Sequence, residues 1–427
     1  MKKIFSRADI ILPNIANDDK AAWQKWAVIA CDQFTSEPKY WNEVEKIVGD
    51  APSTLKMILP EIYLSDNAAT RTEKINADMK KIYADNTEVH PDSMIYVERV
   101  QSDGKLRRGI IGKIDLECYD YNKGSTSEVR ATEGTVLERI PPRVAVRRDA
   151  ELELPHVMIL IDDPENTVFS KLITDADRYK GAYDFDLMLG SGHIKGSFID
   201  REGMEHVEKS LCKFADPDSF SEKYNLKDYS PLAFAVGDGN HSLATAKACY
   251  QEIKEKLGDA ALEHPSRYAL CEIVNLHDSA LEFEPIYRVM FGVDREDVKD
   301  ALKTYISACE NNADSVDIVE ELICVCGAEE EKMTFKRSPH RLTVGSLQLF
   351  IDEYIKNHEG VTVDYIHGID STRELANADD AIGFIFDGMR KDELFASVIC
   401  EGALPRKTFS MGEAKDKRFY LECRKIK

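Results

Sequence analysis

"LAFAVGDGNHSLATAKACYQEIKEKL", residues 232–257, passes from a short apolar run through Gly-Asp-Gly-Asn-His into a periodic one. Its opening "LAFAV" has the length and apolarity of a buried strand. From Leu243 the apolar positions continue through Ala246, Tyr250, Ile253 and Leu257, spaced to form one face of a helix. Between these elements stand Gly237, Asp238, Gly239, Asn240 and His241. The unit reads strand, tight loop, helix, which is a connection of a mixed α/β chain.

Such a loop sits over a helix N-terminus, where unpaired backbone N–H groups and the positive dipole end attract an anion. Gly237 and Gly239 let the backbone approach a phosphate, and Asn240 or Ser242 can cap the helix. His241 can donate to a phosphate oxygen or carry a proton. Asp238 makes sense beside an anion chiefly as a metal ligand or a proton acceptor. The bland reading of the same residues is an Asx-type turn with a capping amide.

Three other segments offer positive charge. "LMLGSGHIKGSF", 187–198, sets His193 and Lys195 among Gly190, Gly192 and Gly196, without the spacing of a Walker or Rossmann loop. It suits closure on a phosphate and equally a hairpin turn. Arg130, Arg139, Arg143, Arg147 and Arg148 form a basic run with Glu133 and Glu138 interleaved. Arginines suit bidentate contact with phosphate, although pairing with nearby acids is the commoner fate. Near the C-terminus Arg406 and Lys407 follow a proline, either as ordinary edge charges or as a second cationic wall. "LIDDP", 160–164, and His277 with Asp278 in "NLHDSALEFEPIYR" are weaker signals, and no histidine spacing argues for zinc.

The composition, 43% hydrophobic and 31% charged, is that of a globular chain, and no apolar run approaches a membrane span. The start lacks a signal-peptide core, so a cytoplasmic location is expected. The ten cysteines form no CxxC pair, which predicts reduced, mostly buried thiols. A net charge of -21 opposes binding to a nucleic-acid backbone and leaves a small anionic molecule as the expected partner. The oligomeric state is not legible.

The chain's length favours two or three domains or subdomains. Residues 1–140 read as an N-terminal α/β region and 141–312 as a central region holding the glycine-rich loops. Residues 313–427 read as a C-terminal α/β region. "KWAVIACDQ", 25–33, predicts a buried strand, "PKYWNEVEKIV", 38–48, a helix with Tyr40, Trp41, Val44 and Val48 on one stripe, and 66–85 a longer helix. An Asp-Gly turn inside "SMIYVERVQSDGKLRRGIIGKIDL" predicts a hairpin.

With these residues in view, the sequence resembles the bacterial and archaeal family known as domain of unknown function 1015, over nearly the whole chain. The carriers are "WAVIACDQFTSEPKYW", "RATEGTVLERIPPR", "YDFDLMLGSGHIKG", "GDGNHSLATAKA", "LHDSALEFEPIYR" and "ALPRKTFSMGEAKDKRFYLE". The Asp-Gly-x-His core is similar to the Asp-Gly-His-His-Arg motif of free serine kinases. The resemblance implies an α+β chain with a partition-protein-B/sulfiredoxin-like core and added mixed-sheet subdomains. It implies that Gly237, Asp238, Gly239, Asn240 and His241 handle phosphate, with magnesium nearby. Asn240 stands where the motif has its first His and Ser242 where it has Arg, so the cation must come from elsewhere: Arg143, Lys195 or Lys407. Sulfiredoxin chemistry is disfavoured, because Asn240 holds the place of the reactive cysteine.

These readings lead to a phosphotransferase acting on the hydroxyl of a small metabolite, and the resemblance implies free L-serine giving O-phosphoserine, with pyrophosphate or a nucleotide as donor. Asp238, His241 and Glu133 are the expected catalytic residues, with Asp238 or Glu133 accepting the hydroxyl proton and Asp238 also the ligand of Mg2+. Gly237, Gly239, Asn240, Ser242, Arg143, Arg147, Arg148, His193, Lys195, Arg406 and Lys407 are the expected phosphate and substrate contacts. A nucleotide- or phosphometabolite-binding regulator without turnover is the alternative, and a scaffold whose motifs are turns is a third reading.

Overall fold

The computed structural model describes residues 3–64, 68–134 and 140–427. Thr135 to Arg139, and with them the expected Glu138 and Arg139, lie outside the described residues. The chain is mixed α/β and divides into two compact units, Met1–Leu281 with Glu413–Lys427, and Glu282–Gly412. This differs from three consecutive regions: neither 140 nor 312 separates units, and the last segment of the chain returns to the first unit.

The first unit is organised by a mixed sheet, ten-stranded among the described residues. Its order is Lys180–Asp186, His193–Phe198, Ile95–Val100, Leu106–Asp115, Tyr268–Asn275, Met158–Ile161, Phe234–Asp238, Val129–Ala131 and Tyr119–Asp120, with Phe5–Ser6 paired to Leu106–Asp115. Ile95–Val100 and Leu106–Asp115 form the hairpin that the Asp-Gly turn predicts, with Val100 opposite Leu106. Met158–Ile161 runs parallel to Tyr268–Asn275 and antiparallel to Phe234–Asp238, which in turn runs parallel to Val129–Ala131. The central strands are apolar on both faces, as strands covered on both sides must be: Ile159, Leu160, Ile161, Ala235 and Val236 are fully buried.

The helix Asn240–Leu257 follows its strand as the spacing requires. Leu243, Ala246 and Tyr250 are buried in the core with Phe234 and Ile273, and Ile253 packs against it. Leu257 ends the stripe 49% exposed, so burial fades over the last turn. The helix Ile140–Arg148 seals the other side, with Ile140 and Val144 packed on Ala244 and Cys249.

Where "KWAVIACDQ" predicts a strand, the structure has a helix, Lys20–Trp26, then a strand of only Val28–Ile29. Asp19 accepts a hydrogen bond from the Ala22 N–H and starts that helix, and Trp23 and Trp26 are buried along it. The helices Pro38–Val48 and Ala68–Asn86 stand where expected, and Trp41, Val44 and Val48 are buried. All ten cysteines are free thiols.

The C-terminal segment is threaded into this unit. Phe419–Tyr420 pairs with Val28–Ile29, and the Trp26 indole donates to the Leu421 carbonyl at 2.8 Å. Asp416 accepts from the Ser102 backbone and hydroxyl. Arg418 is buried, with its guanidinium 2.5 Å from Glu272 and also bonded to Glu422. Arg107 stands 3.5 Å from the same Glu272. Burial works against the charge of Glu272, yet Arg107 and Arg418 hold its carboxyl below the usual carboxylate range.

The second unit carries its own sheet, ordered Glu329–Phe335, Glu320–Cys326, Ala381–Phe386, Phe283–Phe291, Thr362–His367, with Phe409–Met411 paired to the start of Phe283–Phe291. Arg295–Glu310, Thr343–Asn357 and Lys391–Glu401 are its longer helices. No helix among the described residues is long and apolar enough to cross a membrane.

Candidate functional site

The loop between Phe234–Asp238 and Asn240–Leu257 is shaped by two glycines for two different reasons. Gly239 has φ +77, and a Cβ there would stand 3.0 Å from Val157 Cα. Gly237 has no such backbone demand: its missing side chain leaves room for Leu160, whose Cγ would be 2.7 Å from a Cβ. The expected side-chain cap is not made. Gly239 occupies the cap position, so neither Asn240 nor Ser242 closes the first turn. Asn240 Oδ1 is buried there with no hydrogen-bond partner.

Asp238 accepts a hydrogen bond from the Gly239 N–H through Oδ1, at 2.9 Å. Its Oδ2 is 3.2 Å from the Lys417 ammonium. Glu133 follows two residues after the strand Val129–Ala131, whose last residue, Ala131, stands opposite Val236 in parallel register. The Thr132 hydroxyl donates to the Val236 carbonyl at 2.7 Å and fixes that neighbourhood.

Ser242, in the first turn, reaches away from the helix to His156, with Oγ 3.0 Å from Nε2. The other ring nitrogen, Nδ1, is 2.7 Å from the Tyr420 hydroxyl, which lies 3.1 Å from Cys31 Sγ. Asp32 Oδ2 approaches the same His156 Nε2 at 3.8 Å, and the Gln33 amide donates to Asp32 Oδ1 at 2.9 Å. Burial opposes the charge of Asp32, but His156, Gln33 and Lys417 hold it below the ordinary carboxylate range. The Cys31 thiol is the reverse case: burial, then the charge of Asp32, pushes it up to about 12, which keeps it protonated and unreactive at neutral pH.

A cavity of about 150 Å³ opens beside this cluster. Ser242, His156, Tyr420, Cys31, Arg143 and Glu61 supply polar groups to its wall, and Leu59, Met79, Leu243 and Leu270 supply apolar ones. A small apolar-walled pocket with a few convergent polar groups is the usual form of a small-molecule site.

The remaining expected residues fall in several places. Arg143 and Arg147 line the cavity, Arg143 paired with Glu61 and Arg147 with Glu153. Arg148 is bidentate to Glu252 at the surface. Arg130 is taken up by backbone carbonyls of Ser127, Ser230 and Pro231. His193 is held between Asp184 and Asp186, at 2.9 and 2.7 Å, and Lys195 stands 3.6 Å from Glu98. Their strand is separated from Phe234–Asp238 by four others, roughly 24 Å along the sheet at the ordinary strand spacing, so they do not adjoin the loop. Arg406 and Lys407 belong to the second unit, where both lie over the Tyr365 ring and Arg406 pairs with Asp352 at 3.0 Å. His241 is at the first turn, its carbonyl accepting from the Thr245 hydroxyl.

Asp32, His156, Lys417 and Tyr420 are the residues that sequence reasoning missed. Asp32, Lys417 and Tyr420 lie inside quoted family segments, and His156 sits just ahead of a strand; only the long-range pairing of Phe419–Tyr420 with Val28–Ile29 reveals that they meet.

Among the described residues no three His, Cys, Asp or Glu side chains gather as a metal site. The loop offers Asp238, already engaged by Lys417. Such a donor set does not make a protein cage for Mg2+, which commonly binds through one or two carboxylates and substrate phosphates. It fits an ion that arrives on the phosphates of a substrate.

The family model described as "Protein of unknown function (DUF1015)" matches residues 11–364. The chain belongs to this family. Comparison with curated proteins returns no match. Among solved structures, a free serine kinase mutant in complex with AMP is 12% identical, with 74% of this chain and 91% of that chain covered and a TM-score of 0.34. SbnI with C-terminal truncation, from Staphylococcus aureus, is 10% identical over 71% of this chain and 82% of that one, with a TM-score of 0.32. A conserved hypothetical protein from Pyrococcus furiosus is 13% identical over 74% and 94%, also with a TM-score of 0.32. A likeness of that size decides nothing about activity.

Proposed function

We propose that this protein is a phosphotransferase that moves a phosphoryl group to the hydroxyl of a small metabolite, free L-serine giving O-phosphoserine, with pyrophosphate or a nucleotide as donor. The observation that carries the reading is the placement of Lys417 against Asp238 beside a helix start that no side chain caps. The free N–H groups of that first turn and the lysine together favour a phosphate, and the loop's lack of an arginine is thereby met from another segment.

Phosphoryl transfer asks the protein for positioning and charge neutralisation more than for covalent chemistry. The backbone of Gly239, Asn240 and His241 with Lys417 would hold the donor phosphate, and Mg2+ would enter with that donor against Asp238. The acceptor would occupy the cavity beside Ser242. Asp32, ionised and steadied by His156, or Glu133 would take the hydroxyl proton; Asp238 is less suited because both its oxygens are engaged.

The test is transfer of isotope-labelled phosphate from pyrophosphate, ATP or ADP to serine by the full chain, with Asp238→Asn, His241→Ala and Lys417→Ala as controls. Labelled O-phosphoserine that depends on Lys417 supports the reading. No product from any donor sinks it, and retained donor binding in that case favours the regulator without turnover.

A further inference from the structure

At the other end of the same strands lies a second polar pocket that the proposed transfer does not use. Met158, at the start of its strand, pairs with Asp238, whereas Asp162 follows the strand's end, roughly 13 Å away at ordinary strand rise. There Asp162 and Asp163 meet Asn275 and His277, which end the parallel strand Tyr268–Asn275. A cavity of about 250 Å³ opens at this edge, lined by Arg108, Asn166, Phe169, Asn275, His277 and Ser279 among others. The carboxyl ends of parallel strands are a frequent place for ligands in α/β sheets.

Asp162 is 7% exposed and holds His277 by its Nε2 at 2.6 Å, while accepting from the Tyr224 hydroxyl at 2.6 Å and pairing with Lys223 at 2.8 Å. This fixes the imidazole ring and leaves Nδ1 as the nitrogen not bound to the carboxylate. Asp163 is spent on the Val168 N–H and the Thr167 hydroxyl, and Asp278 accepts from the Arg108 and Ala280 N–H groups. The Asn275 amide donates to the Asp163 carbonyl and to Asn166. The carboxylates thus have donors within the protein. Arg108 Nε, by contrast, is buried with no acceptor.

We infer that this pocket binds a small oxyanion-bearing metabolite, a carboxylate or a phosphate, between Arg108 and the Asp162-oriented imidazole of His277. A donor surplus at the wall calls for an acceptor-rich ligand, since a buried donor without an acceptor is costly. The inference is independent of the proposed transfer reaction.

The experiment is an NMR titration of the histidine imidazoles in the full chain, with and without inorganic phosphate or acetate, the His277 signal being assigned by its loss in His277→Gln. An anion seated beside the ring favours the charged form, so the His277 midpoint is expected to rise by roughly half a pH unit or more. Arg108→Gln is expected to abolish the rise. Response to phosphate alone identifies a phosphate ligand, and response to acetate alone a carboxylate. A midpoint indifferent to both anions overturns the inference and leaves the Asp162–His277 bond as a clasp between strand ends. So does a rise that survives Arg108→Gln. If His277→Gln fails to fold, a phosphate- or acetate-dependent shift of one imidazole in the native chain and its loss in Arg108→Gln decide the matter.

Discussion

Lys417 Nζ stands 3.2 Å from Asp238 Oδ2, joining the last segment of the chain to the loop between its central strand and helix. The lysine's backbone is fixed by its neighbours: Asp416 is held by Ser102 and Arg418 by Glu272 and Glu422. Lys417→Ala is therefore expected to lower kcat/KM for labelled phosphate transfer by about 10²-fold or more, on the scale of one electrostatic contact to a transferring group, with the melting curve little changed. Lys417→Arg should restore part of it.

Asp32→Asn tests the proton acceptor. It removes the charge while keeping the shape, and its expected effect is a loss of about 10²–10⁴-fold in kcat with KM for the donor nearly unchanged. Equal activity in Asp32→Asn, with a comparable loss in Glu133→Gln, would move that role to Glu133.

Gly239→Ala measures the loop's backbone demand. An alanine at φ +77 costs about 1–2 kcal/mol, and the closeness of Val157 adds to it. Urea unfolding should show a lowered midpoint.

Arg418→Met breaks a buried pair by removing one partner, leaving Glu272 and Glu422 uncompensated. The expected loss is about 3–5 kcal/mol of stability, read from denaturant unfolding. The double change with Glu272→Gln should recover part of that loss.

In the second unit Glu320 is 4% exposed, with the Ser346 and Ser338 hydroxyls as the polar groups beside its carboxyl. Burial, with Glu393 and Glu401 adding to it, lifts its carboxyl to about 7 against the partial opposition of Ser346 and Ser338. The folded state thus holds a proton that the unfolded chain gives up at lower pH. Stability of this unit should be greatest below pH ~4.5 as far as this group is concerned, and fall as pH rises to about 7, by up to about 1.4 kcal/mol per pH unit. Glu320→Gln should flatten that slope in melting curves taken across the range, and an unchanged slope would remove Glu320 from the account.

The strand, loop and helix of 232–257 were legible because their signals are local: an apolar run, two glycines, then apolar positions at helical spacing. Leu243, Ala246 and Tyr250 are buried as that spacing requires. The hairpin and the helix Pro38–Val48 were readable for the same reason. Val28–Ile29 was not, since "KWAVIACDQ" is apolar enough for either a strand or a helix and the buried tryptophans decide in favour of the helix Lys20–Trp26. The charges around the loop were the least legible part. Arg148 and Lys195 have the right chemistry and pair with Glu252 and Glu98 instead, while Lys417 looks in sequence like one solvated lysine among several. Nothing local distinguishes them; the sheet order and the course of the C-terminal segment do.

That course sets a timetable for synthesis. Residues 282–412 are made before Lys417 and Tyr420, although these two complete contacts with Asp238 and His156 in the first unit. During translation the loop and its histidine therefore emerge without their lysine and tyrosine, and chains stopped short of residue 417 carry the 237–242 loop without this cation. Non-local closure of this kind is slow relative to local helix formation. The candidate site is thus completed only after residues 282–412 have been made, and fragments ending before residue 417 are expected to be silent in the proposed transfer.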